Sequence, residues 1–469
     1  MTDRPQQSPS HSASHRASPT GPAPARRARA AIALLLGALI AVSGCTTVLT
    51  RSPVPQEEAG RAQPYGMQGA PMRTWGDSLD IGQSEEIIAQ RAAFLQRLYE
   101  NHPEDMPRKF YSIAFSGGGP DGAFGAGLLA GWTERGDRPE FGFVSGVSTG
   151  AIIALYAFLG SEYDEQLKEI YTSYTTDDLV TPTIFAGLTG GTALLDTRGY
   201  RRLIESYVTP EIVEEVAEGY RAGRVLIIGT TNIDASRPVV WNIGAIAASG
   251  HRDRVRLIHD VIQASSAIPA AFPPVLIPVE ANGKRYDEMH VDGGATQQVI
   301  LYSPQLRIRD LDEALGTKVD RTIYVVVNNK LEKPYDPVRP RLFSIAAKAA
   351  SSLIGGSGSG DIYRIFSIAR RDGMQLNVIA IPSEFDAEPD DLFDPVYMQS
   401  LYDLGYEQGR SGEGWSAFPL DYSPEDVEVE ARAGVDVPGV GPLPGTAPVA
   451  DAPAADAPVA EAPATEPAG

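Results

Sequence analysis

The chain has 469 residues, 43% of them hydrophobic, and carries a formal net charge of −20. That length and apolar content suffice for a large buried core, in one big domain or two ordinary ones. The excess of 60 acidic over 40 basic side chains argues against a nucleic-acid partner, whose phosphates require a basic face.

At the N-terminal end, Arg26, Arg27 and Arg29 precede the apolar stretch from Ala30 to Val42, which is too short to span a bilayer as a helix and reads as a secretory signal. It ends in Val42-Ser43-Gly44-Cys45, and Cys45 is the only cysteine. Intrachain disulfides are therefore excluded, and a lone cysteine in an exported chain points to a modified thiol or an intermolecular bond. The tetrapeptide resembles a bacterial lipobox. That resemblance implies that Cys45 receives a diacylglyceryl group and becomes the first mature residue, and that Thr46, standing where an Asp would retain the protein inside, directs it to the outer membrane. Two or more acyl chains anchor stably where one is marginal. The expected organisation is a signal peptide over 1–44, a flexible Pro/Gln/Gly-rich linker over 45–80, a folded domain over 81–430, and a disordered Pro/Ala-rich acidic tail over 431–469.

An amphipathic helix is expected from Glu85 to Glu100, with Ile87, Ile88, Leu95 and Leu98 on one side. The run Tyr111 to Phe115 then predicts a strand. It leads into SGGGPDGAFGAG at Ser116–Gly127, with six glycines in twelve positions. Glycine is costly to order and is used where backbone must approach another group closely or take positive φ. Because the helical run Ala123 to Trp132 follows, this loop presents the N–H groups of a helix start, which favour an anion or a carbonyl oxygen becoming one. Gly117-x-Gly119-x-x-Gly122 also fits a dinucleotide fingerprint, but that reading needs an acidic residue ending the next strand. Glu140 instead precedes the next apolar run, Phe141 to Val144, so a dinucleotide partner is not expected.

That second strand ends in Ser145-Gly146-Val147-Ser148-Thr149-Gly150, followed by the helical run Ala151 to Leu159. Gly146-x-Ser148-x-Gly150 between a strand and a helix is the context of a nucleophile elbow, whose glycines permit a tight turn that lifts out the hydroxyl. Serine needs a base. The histidines after Ser148 are His251, in a polar cluster, His259, within a helical pattern at Arg252 to Ala267, and His290, which leads into His290-Val291-Asp292-Gly293-Gly294. Further strands are predicted at Val225 to Ile228, Thr322 to Val327 and Leu376 to Ile381. The stretches Ile184 to Leu195 and Gly355 to Gly360 read as loops, either mobile ones bordering a substrate cleft or plain connections. Strands alternating with helices predict an α/β fold, with a mostly parallel central sheet flanked by helices on both faces.

The order GGGxxG after a strand, then GxSxG, then DGG, together with Ala264-Ser265-Ser266-Ala267-Ile268-Pro269 and Phe272-Pro273-Pro274, resembles the patatin-like phospholipase family. The likeness is good over Arg108 to Thr296 and looser to about Tyr422. It implies a three-layer sandwich and a catalytic dyad, in which Ser148 attacks an ester carbonyl and Asp292 acts directly as base. It also implies an oxyanion hole from the amides of Gly117, Gly118 and Gly119, with Gly122, Gly146, Gly150, Gly293 and Gly294 as motif positions. The substrate expected is a phospholipid or other acyl lipid at a membrane face, and neither a metal nor a cofactor is expected. The family loop usually carries Arg or Lys where this chain has Asp121. Asp121 is expected to cap the following helix. Two other readings remain open at this point: a triad esterase using His290, and an envelope scaffold that keeps the fold without turnover.

Overall fold

The computed structural model describes residues 51–67, 71–183, 193–332, 337–338, 340, 342–419 and 422, and only the backbone over 342–356. By compactness the chain divides into Met1–Leu49 with Phe185–Gly191, and Thr50–Ile184 with Thr192–Gly469. Everything described belongs to the second unit. The signal segment, Cys45, most of the Ile184–Leu195 stretch and the acidic tail lie outside the described residues.

Among the described residues, ten strands form one sheet. Five run parallel in the order β12 (Gln375–Ile381), β11 (Asp320–Lys330), β3 (Lys109–Phe115), β4 (Phe143–Val147) and β7 (Val225–Asn232). At β7 the sheet branches. Its residues Ile227–Asn232 pair antiparallel with β8 (Arg237–Asn242) on one edge, and Thr230–Asn232 with β10 (Lys284–Asp292) on the other. Beyond β10 come β9 (Val275–Ala281) and β1 (Gln63–Pro64), while β2 (Arg73–Trp75) extends β8. A separate small ribbon joins β5 (Thr181–Pro182) to β6 (Leu195–Asp196).

The connecting helices are α1 (Ile81–Leu98), α2 (Gly122–Arg135), α3 (Thr149–Leu159), α4 (Asp164–Thr172), α5 (Thr176–Leu179), α6 (Arg198–Tyr207), α7 (Pro210–Arg221), α8 (Ile243–Ala248), α9 (Arg254–Ser265), α10 (Ile308–Leu315), α11 (Leu342–Asp372) and α12 (Pro395–Ser411). Side chains alternate across a strand, and both faces of this sheet are covered. Ile113 and Phe115 enter a core shared with α2, α3, α7, α9 and α12, whereas Ala114 between them joins Ile323, Val325, Ile362 and Ile365 beneath α11. The sequence-derived fold class, α/β with a mostly parallel sheet between helical layers, is the one observed.

Helices α2 and α12 meet backbone to backbone. A Cβ at Gly127 or Gly131 would lie 2.0 or 1.9 Å from the carbonyl oxygens of Tyr402 and Tyr406. From the other side, a Cβ at Gly405 or Gly409 would lie 2.0 or 2.2 Å from those of Phe124 and Leu128. Four glycines therefore set this helix spacing.

Three local expectations differ from the structure. Residues 51–80 are not a free linker: β1 and β2 belong to the main sheet, and the Arg73 guanidinium is buried against Glu288 on β10, 2.5 Å from its Oε1. Local pattern missed this because strands of two and three residues are too short to show alternation. Gly355–Gly360 is helical, as part of α11, where Gly358 brings the helix against the Gln298 side chain. Helix α1 starts four residues early, at a capping box in which the Asp80 carboxylate accepts from the Gln83 amide at 2.7 Å.

Candidate active site

Ser148 sits between β4 and α3 with φ 55° and ψ −125°, a conformation that costs a non-glycine residue about 1–3 kcal/mol and persists only where surroundings enforce it. Those surroundings are identifiable. The Ser148 amide donates to Ser265 Oγ at 2.8 Å, and that hydroxyl donates to the Gly229 carbonyl at 2.6 Å, tying the elbow to α9 and β7. Gly146 and Gly150 let the turn close, since a Cβ at 146 would lie 2.0 Å from the Gly150 carbonyl oxygen. The chain thus spends strain to hold one hydroxyl outward at the start of a helix.

Asp292 ends β10. Its amide donates to the Ala267 carbonyl at 2.8 Å, and its Oδ1 accepts from the Gly294 amide at 2.7 Å. The end of α9 and the residues just after it therefore anchor both, Ser148 through Ser265 and Asp292 through Ala267. The Ser148 side chain faces the buried Asp292 carboxylate. Burial pushes Asp292 up to about 6, and hydrogen bonding from the Ser148 hydroxyl and the Gly294 amide opposes that rise. A carboxyl near 6 is a far better proton acceptor at neutral pH than one at its ordinary value near 4. Gly293 and Gly294 form the turn beyond it, with Gly293 against the Gly229 carbonyl.

The glycine loop lies on the other side of Ser148. The Gly117 amide donates to the Gln298 carbonyl at 3.2 Å and is thus occupied. Among the described residues, the amides of Gly118 and Gly119 donate to no acceptor. Gly119 has φ +60°, and a Cβ at Gly118 would fall 2.1 Å from the Asn328 carbonyl oxygen. Gly122 opens α2 beside Thr149 at the start of α3. The loop is clamped by residues that no local pattern singled out. Asn328 donates its side-chain amide to the Ser116 carbonyl at 3.0 Å and accepts from the Gly125 amide at 3.1 Å, and Asn329 donates to the Gly117 carbonyl at 2.7 Å. Asp361 on α11 accepts from the amides of Gln298 and Val299 at 2.6 and 3.0 Å and pairs with Arg364, which fixes the chain after the Asp292 turn. Only tertiary proximity gives these residues their roles, so no sequence signal marks them.

His290 is not placed to act as a base. It is fully buried, its Nδ1 lies 2.9 Å from Thr230 Oγ1 and its Nε2 3.1 Å from Glu288 Oε2. Both ring nitrogens are committed to a buried network with Arg73. His259 is likewise engaged, with Nε2 2.7 Å from the Val208 carbonyl oxygen. Asp121 does not cap α2 with its side chain; instead it accepts from the Tyr397 hydroxyl at 2.8 Å, across to α12. Burial pushes Asp121 up to about 6, against the hydrogen bond from Tyr397 and the nearby charge of Lys330. Among the described residues no group of three or more His, Cys, Asp or Glu is arranged to hold a metal ion, and no helix is long and apolar enough to cross a membrane.

Residues 113–302 match the patatin-like phospholipase family model. The patatin-like domain so defined runs from β3 to just past the Asp292 turn, and so contains the glycine loop, Ser148 and Asp292, but neither Asn328 nor α12. No curated protein matches the chain. Among solved structures, VipD from Legionella pneumophila aligns with TM-score 0.34 and 13% identity over 67% of this chain and 68% of that one. Human GIVD cytosolic phospholipase A2 aligns with TM-score 0.26 and 10% identity, over 61% of this chain and 51% of that one.

Proposed function

We propose that the protein is a lipid acyl hydrolase using a Ser148–Asp292 dyad. The observation that carries this reading is the buried Asp292 carboxylate facing a hydroxyl held in a strained elbow. The patatin-like domain supports ester-bond hydrolysis of a lipid as the reaction class. As Ser148 Oγ attacks the ester carbonyl carbon, its proton passes to Asp292. The amides of Gly118 and Gly119 receive the developing oxyanion, each such donor being worth roughly 3 kcal/mol. The tetrahedral adduct then collapses, and the leaving alcohol takes the proton from Asp292. Water hydrolyses the acyl-serine by the same route in reverse. Gly117, expected as a third donor, serves this scheme by positioning the loop through Gln298.

We further read the chain as tethered to the cell envelope through an acylated Cys45, at the outer membrane, where lipid substrate is concentrated around the enzyme. A fluorophosphonate probe tests the dyad: the full chain is expected to be labelled, Ser148→Ala to be unlabelled, and a chain unlabelled in both forms would sink the proposal. Metabolic labelling with a palmitate analogue tests the anchor, with incorporation expected in the wild type and absent from Cys45→Ala. Retained labelling of that variant would refute it.

A further inference from the structure

The scheme above leaves one side chain beside Ser148 and Asp292 without a task. Gln298 is 5% exposed. Among the described residues, every hydrogen bond that holds it comes from its main chain, its amide to Asp361 and its carbonyl from Gly117. Its Oε1 is buried and has no hydrogen-bond partner among the described residues. A buried amide oxygen left unpaired is destabilising and demands an explanation.

Its position supplies one. A Cβ added at Gly117 would lie 2.7 Å from Gln298 Oε1 and 3.1 Å from Ser148 Cβ. A Cβ added at Gly294 would lie 2.6 Å from Gln298 Nε2 and 3.0 Å from Asp292 Oδ1. The carboxamide therefore spans from the serine side of the site to the aspartate side, with its oxygen toward the serine. Its stem packs on Gly358 of α11, 3.7 Å from the point where a Cβ would stand, so this orientation is braced from behind.

We infer that Gln298 positions the water that hydrolyses the acyl-enzyme, an inference that rests on the acyl-hydrolase reading. A water has two O–H bonds to give. In this arrangement Asp292 accepts one and Gln298 Oε1 the other, which leaves an oxygen lone pair directed at the acyl carbon on Ser148 Oγ. When the water oxygen bonds to that carbon, its proton passes to Asp292. Collapse of the adduct breaks the carbon–Oγ bond, returns the proton to Ser148 and releases the carboxylic acid. In acylation no water is needed, because the serine hydroxyl itself donates to Asp292. Gln298 thus acts in the second half of the cycle and not in the first.

The test is stopped-flow hydrolysis of a p-nitrophenyl ester by the full chain, comparing wild type with Gln298→Leu and Gln298→Met, two apolar side chains of similar volume. The expected result is a first turnover within about twofold of wild type and a steady state slowed about 10- to 100-fold, the penalty of a misplaced reactant. Nitrophenol then appears as a burst approaching one equivalent per chain, and mass spectrometry finds the acyl group on Ser148. Equal losses in both phases, in whichever variant folds, would overturn the assignment, since a structural or oxyanion role slows both halves alike. Unchanged kinetics would overturn it too. A wild-type chain that fluorophosphonate leaves unlabelled removes the hydrolase reading and this inference together, whereas labelled wild type with equal losses removes the role of Gln298 alone.

Discussion

Asp292 faces two demands that pull in opposite directions. The proposed dyad needs it ionised, while burial favours its neutral form and raises it from 3.8 to about 6. The rate of ester hydrolysis at low substrate, kcat/KM, is accordingly expected to rise with pH through an apparent value near 6, which a pH–rate profile checks. A flat profile across pH 5–8 would show that another group governs the reaction. For stability the sign reverses. A carboxyl whose folded value is raised contributes stability below its unfolded value, about 4, and loses it as pH climbs through about 6. Asp292→Asn removes that charge, so it is expected to be inactive yet more stable than wild type near pH 8, by up to about 3 kcal/mol, with the gap closing below about pH 4. Denaturant melts at both pH values measure this.

Two contacts between elements carry most of what the motifs leave unexplained. The first is the glycine seam between α2 and α12. In an exposed helix Gly→Ala would gain about 1 kcal/mol of propensity, but at Gly131 or Gly405 the new methyl meets backbone about 2 Å away, which cannot yield as a side chain can. A net loss of roughly 1–3 kcal/mol is expected from overpacking, and because α2 begins at the glycine loop, activity should fall with it. Thermal melts and ester hydrolysis on Gly405→Ala decide the point. The second is Arg73 on β2, paired with Glu288 on β10, whose other oxygen meets His290. Arg73 and His290 hold Glu288 below the usual carboxylate range in spite of its burial. Removing the guanidinium leaves a buried carboxylate uncompensated, so Arg73→Met is expected to cost about 3–5 kcal/mol, and Arg73→Met with Glu288→Leu to recover much of that loss. A double variant no better than the single one would refute the pairing argument.

Over the whole molecule, legibility followed contact range. The glycine loop, the elbow and the Asp292 turn could be read because each local geometry is carried by a few adjacent residues: Gly117 to Gly122, Gly146 to Gly150, Asp292 to Gly294. The parallel core of the sheet was implied by strands alternating with helices, but neither its strand order nor its antiparallel branch was. Asn328, Asp361 and Gln298 could not be read that way, since a single polar residue at a strand or helix end has no local signature, and its meaning comes from partners far along the chain. The same applies to 51–80, whose Pro- and Gly-rich composition hid Arg73. Shortening the chain is therefore expected to separate two cases. A protein beginning at residue 50 should fold and hydrolyse ester, while one beginning at Ile81 should lose solubility or melt far lower, because β1, β2 and the partner of Glu288 are gone. Equal behaviour of the two would restore the linker reading.

The seam between α2 and α12 also bears on how the protein is made. Helix α2 ends at Arg135 and its partner begins only at Pro395, so a growing chain carries the helix behind the proposed site for more than half of synthesis with that glycine surface uncovered. At about 5–20 residues per second the interval is of the order of tens of seconds. In an unfinished copy, helix α2 therefore lacks the partner against which its glycines pack.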